Sequence, residues 1–177
     1  MSKKKELFIV RHGKSSWDID NISDIDRPLK LRGIRNAYEM ARRLKIDRKV
    51  PEVFISSPAN RALHTATIFL TVFELPYNKL IIDKRLYGKG LEEIVDLLKS
   101  QPDDFNKLMI FGHNPDFTEL VRKYAKNQIF EIPTCGIANF GFRCEKWSEI
   151  SRESVVSEFL DFPGEEKKSP IKSIKDL

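Results

Sequence analysis

A chain of 177 residues, 41% of them hydrophobic, can bury one sizeable core and is short for two domains. Its formal net charge is +5, but the stretch Ser2–Lys5 and the tail from Gly164 onward supply four of those five charges. A broad basic face for nucleic acid or a membrane surface is therefore not expected.

Leu7–Val10 is a continuous apolar run, the pattern of a central parallel strand buried on both faces. Residues 15–32, with scattered Asp, Ser and Asn and then Pro28, predict a loop. Over Gly33–Leu44 the residues Ala37, Met40, Ala41 and Leu44 recur at helical spacing. A second strand is predicted over 52–56. Ser57-Pro58 then reads as a cap and a first-turn proline, opening a helix that reaches about Phe73.

Lys79–Ile82 predicts a short third strand, and Leu91–Leu98 a helix with Glu92 and Glu93 in its first turn. A fourth strand is predicted over 107–112. Asn114-Pro115 repeats the cap-and-proline pattern before a helix to about Ala125. Ile137–Phe142 and Val155–Phe162 read as later strands at or near a sheet edge. The single domain is expected to span 1–163, leaving 164–177 as a charged tail. Strands alternating with helices predict an α/β fold, a three-layer α/β/α sandwich around a largely parallel sheet.

In such folds ligands gather at the carboxyl ends of the strands. The first strand ends in Arg11-His12, the second runs into a helix whose first turn carries Arg61, and the fourth ends in His113. Each residue alone has an ordinary structural reading. Together, at equivalent topological positions, they predict an anion site. Two guanidinium groups can hold phosphoryl oxygens, and a neutral imidazole can attack phosphorus or protonate an oxygen. His64 follows Arg61 by three residues and is expected to be a packing residue or a polar contact behind the site.

Competing phosphate devices fail on spacing. Gly13-Lys14-Ser15 mimics the end of a Walker loop, but the position five before Gly13 is Phe8 rather than glycine. Neither cysteine is followed by five residues and an arginine, as a cysteine phosphatase loop requires. A zinc ion between His12 and His113 would face repulsion from Arg11 and Arg61, so no metal and no cofactor is expected. No membrane-length apolar run or export signal is visible, so a soluble, cytoplasmic protein is expected, with Cys135 and Cys144 as reduced, packed thiols.

The blocks "RHGKSSW", "DRPLKLRG", "SSPANRALHTA", "GHNP" and "PTCGIANFGF" occur in the order and spacing of the histidine phosphatase superfamily over roughly residues 6–145. The chain resembles in particular the branch of the bacterial phosphohistidine phosphatase SixA. That resemblance implies a phosphoglycerate-mutase-like fold, with His12 as the phosphorylated nucleophile and Arg11, Arg61 and His113 around the phosphate. His113 would be protonated when phosphate is bound. Gly13 would allow close backbone approach, Arg27 would be an accessory residue with Asp26 as its alternative partner, and Lys14 would be a rim charge.

One departure bears on the substrate. Many small-molecule members of the superfamily carry a glutamate after the third strand to protonate the leaving oxygen, whereas "RLYGKG" (85–90) has no carboxylate. An alkoxide needs that proton, while the imidazole of phosphohistidine can carry its own. The expected function is removal of phosphate from protein phosphohistidine. A small phosphorylated metabolite is the alternative substrate, and a non-catalytic phosphate-binding module the alternative of another class.

Overall fold

The computed structural model describes residues 4–47, 49–129 and 131–164. Most of the expected tail, 165–177, lies outside the described residues, as do residues 1–3. In chain order the elements are β1 (Lys5–Arg11), α1 (Leu31–Ile46), β2 (Val53–Ser56), α2 (Asn60–Phe73), β3 (Leu80–Ile82), α3 (Leu91–Lys99), β4 (Lys107–Gly112), α4 (Asp116–Tyr124), β5 (Ile137–Phe142) and β6 (Val155–Asp161). The strands form one sheet in the order β3-β2-β4-β1-β5-β6. Pairing is parallel from β3 through β1, and β5 and β6 are antiparallel additions.

The apolar run of β1 serves two cores because successive strand side chains point to opposite faces. Leu7 and Ile9 join Leu108 and Ile110 of β4 against Ile94 and Leu98 of α3 and Phe117 and Leu120 of α4. Phe8 and Val10 join Phe54, Met109 and Phe111 against the Ala37, Met40, Ala41 and Leu44 stripe of α1 and Ala62, Ala66 and Phe69 of α2. This is the expected three-layer sandwich. A buried phenylalanine is worth about 3–5 kcal/mol against alanine, so Phe8 and Phe111 anchor the two strands that carry the site. Among the described residues no helix is long and apolar enough to cross a membrane.

Several local expectations are corrected. β5 is not an edge strand: it lies between β1 and β6. α1 begins at Leu31, two residues before Gly33. α2 begins at Asn60 with Ala59 as its cap, so Ser57 does not cap it. The Ser57 hydroxyl instead accepts the Ala59 N–H at 3.2 Å in a turn before the helix. Likewise α4 begins at Asp116 with Pro115 at the cap position, freeing the Asn114 side chain for other partners. The two side chains are used differently: the Ser57 hydroxyl helps to build its turn, whereas the Asn114 amide reaches across to Glu131 and Ile132.

Lys5 is no surface charge. It is fully buried, and its ammonium donates to the carbonyls of Asp103 and Phe105 at 2.9 and 2.7 Å beside the Trp147 ring. The cysteines are free, as expected, with Cys135 buried and Cys144 half-buried at opposite ends of β5.

Candidate active site

His12 leaves the end of β1, the strand flanked by β4 and β5, and its backbone N–H donates to Gly112 O at 3.1 Å. The loop that follows is pinned from two sides. Gly13 N–H donates to the Thr65 hydroxyl of α2 at 3.0 Å, and Cys135 N–H reaches the carbonyl oxygens of Arg11 and His12. Gly13 and Gly33 meet backbone to backbone: a Cβ on Gly33 would stand 2.3 Å from Lys14 O, and one on Gly13 2.9 Å from Gly33 O. Only glycines permit α1 to press this closely on the loop.

His12 Nδ1 lies 2.7 Å from its neighbour's carbonyl, Gly13 O. A carbonyl only accepts, so Nδ1 carries the proton and Nε2 keeps its lone pair. Arg61 Nε donates toward that Nε2 at 3.3 Å. Burial brings the imidazole down to about 4, with Arg61, Arg11 and Arg27 pushing the same way against the pull of the Gly13 carbonyl. At neutral pH His12 is an uncharged imidazole held in one orientation, with its lone pair on Nε2.

His113 follows β4, its ring centroid 4.9 Å from that of His12. Its Nε2 bonds the Ser57 hydroxyl at 2.8 Å, while its buried Nδ1 has no hydrogen-bond partner. Burial, then His12 and Arg61, bring it down to about 3. Its own surroundings thus favour the neutral form, and the charged form expected beside phosphate requires the charge of the anion. The two states imply a proton taken up on anion binding. Sulfate, which keeps both charges in mildly acidic solution, should bind at pH 5.5 with uptake approaching one proton. Calorimetry in buffers of different ionisation enthalpy reads that uptake as a slope, and a zero slope would show that His113 stays neutral.

Arg11, the last residue of β1, extends to Glu131 Oε1 at 2.8 Å and Ile132 O at 2.7 Å, and its buried Nε is without a partner. Asn114 Nδ2 shares the same two acceptors. Arg27 lines the pocket, and its carboxylate partner is Asp24 rather than Asp26. Its NH1 meets Asp24 Oδ1 at 2.9 Å, its NH2 the Ser15 hydroxyl at 2.8 Å and its Nε Ser16 O at 2.9 Å. Lys14 is exposed at the rim, as expected. His64 departs from expectation: it is exposed and lines a separate recess with Pro28, Asn60 and Leu63. The pocket itself encloses about 500 Å³ between Arg11, His12, Arg27, Arg61, His113 and a rim that includes Lys14 and Trp17.

Asp24 is the residue that sequence reasoning missed. Besides Arg27 it takes Arg61 NH2 at 2.9 Å and the Tyr87 hydroxyl at 2.7 Å on Oδ2, and its backbone carbonyl accepts from Arg61 NH1. Burial pushes its carboxyl up, but the bonds from Tyr87, Arg27 and Arg61 outweigh it and hold the group well below the usual carboxylate range. Asp24 thus fixes both guanidinium groups as a permanent anion. Asp24→Asn should lower kcat about 10- to 100-fold by loosening Arg61, with an unchanged circular dichroism spectrum. An unaltered kcat would show that α2 alone positions Arg61.

Residues 7–87 match the family model described as histidine phosphatase superfamily (branch 1). A chloroplastic protein of Arabidopsis thaliana, itself uncharacterized, is 26% identical over 160 residues, covering 84% of this chain and 71% of its own length. Phosphoglycerate mutase 1 of Saccharomyces cerevisiae is 30% identical over 109 residues, covering 57% of this chain but only 44% of the mutase. Among solved structures, the protein histidine phosphatase SixA complexed with tungstate superposes with a TM-score of 0.70 at 21% identity, covering 89% of this chain and 94% of that one. The likeness to SixA is one of fold. The stretch that matches the histidine phosphatase superfamily model contains Arg11, His12, Arg27 and Arg61, four of the residues that line the pocket.

Proposed function

We propose that the protein is a phosphatase that passes the phosphoryl group through His12 and acts on phosphohistidine borne by another protein. The observation that carries this reading is a buried, neutral imidazole whose unprotonated Nε2 faces Arg61, with Arg11 and Arg27 lining the same pocket. The partnerless Nδ1 of His113 and Nε of Arg11 are two further groups that an oxyanion would satisfy. In the first step the His12 Nε2 lone pair forms a bond to phosphorus as the P–N bond of the substrate breaks. The electron pair passes to the substrate imidazole, which takes a proton. In the second step water attacks phosphorus, the pair returns to His12, and inorganic phosphate leaves. Arg11, Arg61 and a protonated His113 stabilise the charge on the equatorial oxygens, the task a metal performs elsewhere.

The phosphohistidine reading is supported by the lack, among the described residues, of a carboxyl placed to donate a proton. Glu93 lines a different recess, with Pro58, Ile82 and Asp83, and α3 fixes it there. The carboxylates bonded to pocket residues are Asp24, Asp18 and Glu131, and all three are held below their ordinary values, Asp24 by Tyr87, Arg27 and Arg61, Asp18 by Lys30, and Glu131 by Asn114 and Arg11. Among the described residues, no protonated carboxyl stands ready for an alkoxide. The free thiols of Cys135 and Cys144 favour a reducing compartment, the cytoplasm. The second reading, a small phosphorylated metabolite, draws on the pocket volume and on the kinship with a phosphoglycerate mutase.

A phosphohistidine-bearing protein, sugar phosphates and nucleotides, each assayed with EDTA present, test the proposal. The phosphohistidine protein should be the preferred substrate. Preference for a sugar phosphate would favour the second reading, and activity restored only by a divalent ion would overturn the metal-free chemistry.

A further inference from the structure

Trp17 stands at the pocket mouth with 68% of its surface exposed, unlike the protein's other tryptophan, Trp147, which is fully buried. The exposed indole is not loose. The Arg27 guanidinium lies over its ring, 3.2 Å from the centroid, and Arg27 is itself fastened to Ser15, Ser16 and Asp24. One face of the ring is thus held by a fixed cation. Large aromatics left in water at a pocket rim lose apolar burial, so an oriented one marks a contact surface.

The chemistry sets what would meet it. Phosphoryl transfer places attacking and leaving atoms roughly in line across phosphorus. His12 and Arg61 form the buried floor, at 9% and 5% exposure, so a group in line with His12 Nε2 leaves toward the exposed rim. That rim is made of Lys14, Asp18, Lys30, Asn114 and Thr134, all polar, and Trp17. Among the described residues of the rim, only Trp17 offers a flat apolar surface.

We infer that Trp17 is a specificity residue that stacks against a planar, ring-shaped leaving group, such as the imidazole of phosphohistidine or an aryl ring. This rests on the reading of the pocket as a phosphatase site and narrows its substrate class. It gives the leaving group an orientation that neither the arginines and His113, which grip the phosphoryl oxygens, nor His12, which attacks phosphorus, can supply.

Two comparisons test it. The first follows kcat/KM for wild type, Trp17→Ala and Trp17→Phe on phosphohistidine and p-nitrophenyl phosphate, which bear rings, against acetyl phosphate and phosphoramidate, which do not. A stacked aromatic pair is worth a few-fold to about tenfold. Trp17→Ala should therefore lower kcat/KM about three- to tenfold on the ring-bearing pair through KM, leave the ringless pair within about twofold, and be rescued by Trp17→Phe. An equal fall on all four substrates would show that Trp17 serves only to brace Arg27, and no fall would show that the ring is not touched. The second comparison needs no turnover: phenylphosphonate should bind wild type about three- to tenfold more tightly than methylphosphonate and lose that advantage in Trp17→Ala. Equal affinity in wild type would overturn the inference even in an active enzyme. A ring preference in a protein that hydrolyses none of the four substrates would keep the subsite and sink the phosphatase reading.

Discussion

His12→Ala is expected to reduce turnover by roughly four orders of magnitude or more, to the background of the uncatalysed reaction, because it removes the proposed nucleophile. Rapidly quenched wild-type protein should carry one acid-labile phosphate, and the variant none. The other nucleophiles near the loop are poorly suited to replace it. Burial pushes the Cys135 thiol up to about 12, so it holds almost no thiolate at neutral pH, and the Ser15 hydroxyl already accepts from Arg27. His113→Ala should be the milder lesion, about 10²- to 10³-fold, since it withdraws charge stabilisation and leaves the attacking atom in place. An acid-stable phosphate on serine, or a His113 variant more damaged than the His12 variant, would reverse the assignment of the two histidines.

The second large effect lies in the leaving group. A positioned acid contributes about 10²- to 10⁴-fold when the departing atom is a basic oxygen, and Asp18 and Asp24 are both held ionised. Rates on alkyl phosphates should therefore trail those on phosphohistidine and aryl phosphates by at least two orders of magnitude. Each factor of ten corresponds to about 1.4 kcal/mol of unassisted charge on the departing atom. A linear free-energy plot of kcat/KM against leaving-group pKa, measured on aryl phosphates, should slope steeply downward. A flat plot would mean that some group does deliver a proton, and Tyr87, whose hydroxyl donates to Asp24, would be the first to replace. Glu92→Gln and Glu93→Gln should leave the plot unchanged.

Most of the sandwich was legible because β1, β2 and β4 read as unbroken apolar runs and α1 as a clean stripe, patterns that burial alone imposes. The placement of Arg11, His12, Arg61 and His113 was legible for a related reason: parallel strands put their carboxyl ends on one side, whatever the residues between them. What escaped was set by side chains crossing between distant segments. Asp24 is one of four aspartates in the stretch 18–26, and nothing in that spacing marks it as the one that meets Arg61. Lys5 looked like the last of a run of solvated lysines, yet the carbonyls that bury it lie about a hundred residues away. Ser57 and Asn114 looked like helix caps because the pattern of cap then proline is local, whereas their real partners, His113 and Glu131, are not.

The strand that bears His12 is paired on both edges and covered on both faces. Its amide hydrogens can reach solvent only when the whole sheet comes apart, so exchange at Ile9 and Val10 should report the global unfolding free energy. Residues 17–21, by contrast, are all exposed and hang from the pocket by the Lys30–Asp18 pair and the Arg27 stack. The floor of the site is thus as durable as the protein, while the rim can open at small cost. An enzyme built this way can admit a bulky substrate and discharge phosphate without ever loosening the atom that does the chemistry.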